Sequence, residues 1–175
     1  MTSSATRTVS VAPTSSTHDA GLLLLRLVLG LTMAAHGAQK LFGWFGGRGV
    51  EGTGQFFTSV GYASGEAFAV VAGLSELLGG LGIVFGLLTP LAGAAVVGVM
   101  VNAIAVKWNG GFFAPLGVEF ELLLALAAIT LVLAGPGRYA LDRFLPVARS
   151  LRPAHGLLAL VFAAATAGTV LLMRT

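Results

Sequence analysis

Apolar stretches long enough to cross a bilayer recur along this chain, and the first two carry ionisable side chains in their interiors. Ala20 to Phe42 holds Arg26, His36, Gln39 and Lys40, and Glu66 to Leu88 holds Glu76 near its middle. A helical crossing takes about 20 mostly apolar residues. A charge at that depth is costly, so such residues face a bundle interior and meet partners there. The fold class that follows is all-α: a polytopic bundle of membrane helices. Function is to be sought where the buried polar groups converge.

The composition agrees. Of 175 residues, 56% are hydrophobic and 10% charged, with a mean hydropathy of +0.91, whereas about a quarter of a soluble domain is charged. The chain has no cysteine, which removes disulfides, thiol catalysis, thiolate zinc sites and cysteine-ligated iron–sulfur clusters. Its three histidines, His18, His36 and His155, are too scattered for a bis-histidine haem, and no metal ligand set is expected. Phosphate-binding loops, GxSxG, HExxH and dinucleotide fingerprints are absent. The net charge of +3 comes from arginines near helix ends, which fits membrane topology and not nucleic acid.

Five membrane helices are expected, over Asp19–Phe42, Glu66–Leu88, Leu91–Lys107, Val118–Ala134 and Pro153–Met173. Thr89-Pro90, Asn109-Gly110-Gly111 with Pro115, and Gly135-Pro136-Gly137 punctuate them. The Ser- and Thr-rich residues 1–19 read as a disordered polar tail, residues 20–145 as the main membrane domain, and 146–175 as a linker with an additional helix. Arg138, Arg143, Arg149 and Arg152 between the fourth and fifth helices mark that segment as cytoplasmic. The N-terminus is then cytoplasmic and the C-terminus outside. The loops Gly43–Gly65 and Trp108–Gly117 share the outer face. Their aromatic residues, Trp44, Phe45, Phe56, Phe57, Tyr62, Trp108, Phe112 and Phe113, form either an interfacial belt or a lid over an apolar cavity.

Helical geometry tests whether the polar groups converge. At about 100° per residue, Lys40 falls near −40° and His36 near −80° from Arg26, with Gly30, Met33 and Gly37 within about 40°. On the second helix Gly73, Gly79 and Gly80 share the face of Glu76. Small residues let two helices approach closely, so a cationic, glycine-lined face meets a glycine-lined carboxylate. At about 1.5 Å per residue, Glu76 lies roughly 15 Å from the outer end of its helix, between His36 at about 9 Å and Arg26 at about 24 Å. An Arg26–Glu76 structural ion pair and a His36–Glu76 contact are both open. Lys40 reads as snorkelling to the interface. Glu119 and Glu121 suit the start of the fourth helix, with Glu119 placed to pair with Lys107 or Lys40 at an outer mouth. Asn102 is an interhelical hydrogen-bonding residue.

At these residues the chain resembles the DoxX family of small bacterial membrane proteins. The resemblance rests on Arg26 and Gly30, His36-Gly37-Ala38-Gln39-Lys40-Leu41-Phe42-Gly43, Glu76-Leu77-Leu78-Gly79-Gly80, Gly86-Leu87-Leu88-Thr89-Pro90, and Gly135-Pro136-Gly137-Arg138-Tyr139-Ala140-Leu141-Asp142. It spans about Gly21 to Arg143. It implies a DoxX-like four-helix core, with the helix after Pro153 as an addition, in a bacterial cytoplasmic membrane. Such proteins are similar to a membrane subunit of archaeal thiosulfate:quinone oxidoreductase, and others are linked to thiol and oxidative-stress systems.

The first reading is therefore a membrane subunit or anchor for quinone-linked redox chemistry. It is at most a non-metal subunit of an oxidoreductase, with quinone the only cofactor in view and none bound covalently. Arg26, His36, Lys40 and Glu76, roofed by Trp44 and Phe45, would bind the head group. His36 and Glu76 would handle protons as the catalytic pair. The expected partners are the bilayer and soluble or membrane redox proteins, and a homo-oligomer is open. A small-molecule transport module and a non-catalytic scaffold are the rival readings.

Overall fold

The computed structural model describes residues 16–146 and 153–174. The first fifteen residues of the expected tail, and Arg149 and Arg152 of the expected cytoplasmic segment, lie outside these. The described residues form six helices and no strand: α1 (Ser16–Phe42), α2 (Gly49–Ser59), α3 (Gly65–Phe85), α4 (Thr89–Lys107), α5 (Glu119–Ala134) and α6 (Pro153–Leu172). Short 3₁₀ turns occupy Trp44–Gly46, Trp108–Gly110 and Leu141–Phe144.

Four of these helices, α1, α3, α4 and α6, are long and apolar enough to cross a membrane. The protein is a polytopic membrane protein. At 16 residues, α5 is shorter. It nevertheless runs between the same two ends, since Glu121 in its first turn bonds Lys107 of α4 and Pro136 just beyond it bonds Arg26 of α1.

Three boundaries differ from the sequence expectation. Helix α1 begins at Ser16, because Asp19 is buried and accepts a 2.9 Å hydrogen bond from the Arg138 amide instead of lying in a solvated tail. Helix α3 stops at Phe85. Gly86 follows at φ 62°, and the Leu87 amide donates back to Gly82 O at 2.8 Å, the left-handed glycine ending of a Schellman motif. The segment expected as a loop after Phe42 contains α2, an eleven-residue helix that buries Thr53 and Gly54 against α3.

The tightest packing is between α1 and α3. A Cβ on Gly30 would stand 2.6 Å from Gly80 O, and one on Gly80 would stand 2.6 Å from Gly30 O. Gly37 likewise lies against Gly73 O and the Leu77 backbone. These spacings of seven residues on both helices bring backbone against backbone, as small residues allow in membranes. The core proper, with Leu29, Met33, Ile83, Val96, Met100, Ala128 and Leu131 buried, lies among α1, α3, α4 and α5. Helix α6 packs along α4 and, less extensively, on α5.

Candidate functional site

The polar residues divide into two centres at opposite ends of the bundle. At one end Arg26 is 1% exposed and spends its guanidinium on backbone. Nε donates to Ile83 O at 2.9 Å, Nη2 to Val84 O at 2.7 Å and Nη1 to Pro136 O at 3.0 Å. Both helix acceptors, Ile83 O and Val84 O, are carbonyls of the last turn of α3; Ile83 O also accepts the Gly86 amide at 3.1 Å, whereas Val84 O is one of the end carbonyls a helix leaves without a partner of its own. Asp142 serves the next helix in the same way. Its Oδ1 accepts from the Leu88 amide at 2.6 Å, and its Oδ2 accepts from the Thr89 amide at 3.0 Å and the Thr89 hydroxyl at 2.8 Å. Its own amide donates to Gly86 O at 2.8 Å. Leu88 is held at φ 48°, a left-handed conformation costing about 1–3 kcal/mol for a residue with a side chain. The turn is thus fixed by hydrogen bonds that α3 and α4 would otherwise lack. Gly86 has to be glycine here twice over, because an added Cβ would stand 2.8 Å from the Arg26 guanidinium carbon.

Arg26 therefore does not pair with Glu76. The two are not brought together, because the guanidinium is aimed at the end of α3 while Glu76 sits halfway along it. Glu76 is 2% exposed and instead binds Lys40, with Nζ and Oε2 2.6 Å apart. Lys40 is not snorkelling outward; its chain folds in to the carboxylate, about 25% exposed. At the outer mouth Lys107 pairs with Glu121 at 2.8 Å, not with Glu119. Glu119 accepts the Ala114 amide at 2.8 Å. Glu121 keeps a second oxygen, Oε2, which is buried and accepts no hydrogen bond among the described residues.

Both ion pairs line one cavity of about 540 Å³, within the size range of small-molecule sites. Helices α3, α4 and α6 supply most of its wall, and Phe57 and Tyr62 close it at the Lys40 end. Tyr62 donates to Asn102 Oδ1 at 3.2 Å, and the Asn102 amide group donates to Gly98 O at 3.0 Å. Burial raises the Tyr62 hydroxyl above the usual phenol range, with Arg174 acting against this, so it remains a protonated donor.

His36 does not line the cavity. Its Nδ1 lies 3.1 Å from Gln39 Oε1, and the Gln39 amide nitrogen donates to Phe45 O at 3.2 Å. With Oε1 so assigned, Nδ1 donates and Nε2 is the acceptor nitrogen. The ring stands edge-on to Phe120 at 5.8 Å. One charge of each ion pair, Lys40 and Glu121, acts on it electrostatically, and its hydrogen bond goes to Gln39, not to Glu76. Trp44 and Phe45 do not roof the site. They are 59% and 73% exposed and stack with Phe42 and each other, as do Phe112 and Phe113 in the other loop. The outer aromatics thus separate into an exposed belt and three residues, Phe56, Phe57 and Tyr62, that line the cavity.

Glu121 and the α6 residues of the wall are the members that sequence did not assign to the site, while Tyr62 belonged to the lid reading of the outer aromatics. For Glu121 a signal existed: two acids two residues apart on one helix do not share a face, so the two invite different partners. Among the described residues no group of three His, Asp or Glu side chains is placed to hold a metal ion.

The class defined by these features is a helical membrane protein with an ion-paired, otherwise apolar cavity. The DoxX family model matches residues 21–109, and the chain belongs to the DoxX family. It is 38% identical to the "Putative oxidoreductase CatD" of Bacillus subtilis over 127 residues, covering 72% of this chain and 87% of that protein. It is 32% identical to the "Uncharacterized membrane protein Rv3486" of Mycobacterium tuberculosis over 137 residues, 70% of this chain and 79% of that one. No solved structure matches it.

Proposed function

We propose that this protein is the membrane subunit of a quinone-linked redox system and that the quinone head group binds in the cavity beside Lys40 and Glu76. The observation that carries this reading is a buried lysine–glutamate pair set in the wall of a cavity whose remaining lining is mostly apolar and aromatic. A quinone ring needs an apolar slot with donors at its carbonyl oxygens. Lys40 and Lys107 are donors without acceptor capacity, and Glu76 and Glu121 are carboxylates that can hold a proton next to them. Reduction adds two electrons and two protons to give the quinol. A soluble or membrane redox partner supplies the electrons, and the carboxylates pass the protons. His36, beside both ion pairs, connects them to the outer face. The relative named as an oxidoreductase supports a redox role.

In this reading residues 20–145 form the binding domain, and α6 with its linker is an addition to it. The protein lies in the cytoplasmic membrane with its N-terminus inside and its C-terminus outside, an orientation supported by Arg138 and Arg143 at the Arg26 end. The Arg26–Asp142 centre is the structural one.

Titration of the purified protein with a prenylated naphthoquinone tests the proposal. Wild type is expected to bind it saturably. Lys40→Met, which removes a charged donor worth about 1.5–3 kcal/mol, is expected to weaken binding at least about tenfold. Absence of binding by wild type, or unchanged affinity in Lys40→Met, refutes it. Flux of a small solute that needs Glu76 but no quinone would instead favour a transport module.

A further inference from the structure

The cavity is longer than a head-group site requires. Its α4 wall runs from Leu91, near the start of that helix, to Lys107 at its end, about 24 Å at 1.5 Å per residue. Its α6 wall runs from Ala159 to Val170, about 16 Å on the same rise. The charges are not spread along this length. Lys107 and Lys40 end their helices, Glu121 begins α5, and Glu76 reaches from mid-α3 to Lys40. Beyond Glu76, α3 contributes nothing further to the wall. The remaining half lies along α4 and α6 and is lined by Leu91, Ala94, Ala95 and Ala159.

A slot charged at one end and apolar at the other fits an amphiphile, with its polar ring among the charges and a hydrocarbon chain along the rest. The α6 wall is built to leave that space. Ala163 lies against Gly98 of α4, where a Cβ would find the Ala163 carbonyl oxygen at 3.6 Å, and the α6 lining is mostly small, with Phe162 and Val170 its larger members. The outer end of α6 is fastened beside the cavity's roof. Arg174 Nε donates to Val60 O at 3.0 Å, and its guanidinium lies 5.4 Å over the Tyr62 ring. Helix α6 lies wholly outside the residues matched by the family model.

The geometry points to α6 as the wall that receives the isoprenoid tail of a quinone, with Ala159 and its neighbours selecting tailed quinones over tail-less rings. This rests on the quinone reading of the same cavity. The test compares a naphthoquinone bearing a short isoprenoid tail with the same ring lacking it, titrated into the full-length protein in nanodiscs. With each compound counted at its concentration in the lipid, wild type is expected to favour the tailed one by about threefold or more through packing of the tail in the slot, since lipid is as apolar as the cavity and transfer out of water adds nothing. Ala159→Phe, which fills the deep half, is expected to abolish that preference while the tail-less ring binds as before. Ala159→Leu, a smaller intrusion, is expected to fall between and serves if the phenylalanine variant does not fold. Ala165→Phe, on the exposed face of α6, is expected to match wild type. If wild type binds both compounds and Ala159→Phe or Ala159→Leu keeps the full preference for the tail, α6 is not the tail wall and the quinone reading stands. If wild type binds neither compound, both are overturned.

Discussion

The two ends of this bundle use the same chemistry for opposite purposes. Around Arg26 and Asp142, every charge is spent on backbone groups of helix ends: three carbonyls for the guanidinium and two amides and a hydroxyl for the carboxylate. A second cavity of about 520 Å³ lies near this end, lined by Gly82, Phe85, Leu87 and Leu88, but neither Arg26 nor Asp142 lines it. Around Lys40 and Glu76 the charges are spent on one another and on the wall of a 540 Å³ cavity. A buried carboxylate oxygen of Glu121 is left without a donor. In the first arrangement Arg26 and Asp142 are fully engaged, and the oxygen left over, Asp19 Oδ2, is buried 4.0 Å from Arg138 Nε and does not line the cavity. The second has capacity to spare, which is what a binding site needs. Burial alone does not distinguish them, since Arg26 and Glu76 are almost equally hidden; the partners do.

This contrast can be broken by mutation. The largest effect is expected from Arg26→Ala. It removes the guanidinium bonds to Ile83, Val84 and Pro136, of which Ile83 O keeps the Gly86 amide, a loss of about 3 kcal/mol or more given that hydrogen bonds from a charged group contribute about 1.5–3 kcal/mol each. Unfolding of the purified protein in detergent should show that loss, while the residual folded fraction binds quinone normally. A binding defect without loss of stability would mean that the two ends are not separate in role. A smaller effect is expected from Gly80→Val, which drives a side chain into Gly30 O and the Ala34 backbone. Overpacking of this kind costs about 1–3 kcal/mol. Because α1 and α3 carry Lys40 and Glu76, it should weaken both stability and quinone binding, whereas Arg26→Ala costs stability alone. Unchanged binding in Gly80→Val would show that the ion pair tolerates separation of its helices.

Much of this was legible in the sequence. The long apolar stretches announced the helices, and the seven-residue glycine spacings on the first two announced the α1–α3 contact. Which charge met which was not legible. Angular position and depth put Arg26, His36 and Lys40 near Glu76 together, but a lysine chain long enough to snorkel outward is also long enough to turn inward, and helical projection does not say which way it goes. Arg26 was misassigned because its partners are carbonyls, which every residue has and no sequence advertises. Asp142 was visible only as part of a family motif, since its role depends on the left-handed turn at Leu88, which no helix pattern signals. Helix α2 escaped because its sequence, with Gly49, Gly52 and Gly54, has low helix propensity, and packing on α3 decides its conformation. The α6 wall carries no motif at all; small residues in a membrane helix look alike whether they face lipid, a neighbour or a cavity.

The central claim is that the Lys40–Glu76 centre binds and the Arg26–Asp142 centre only holds. An experimental structure of the protein saturated with a tailed naphthoquinone tests it most directly. Density for the ring is expected within hydrogen-bonding distance of Lys40 or Lys107, with the tail running between α4 and α6 toward Ala159. Ring density beside Arg26, or an empty cavity under saturating quinone, would contradict it.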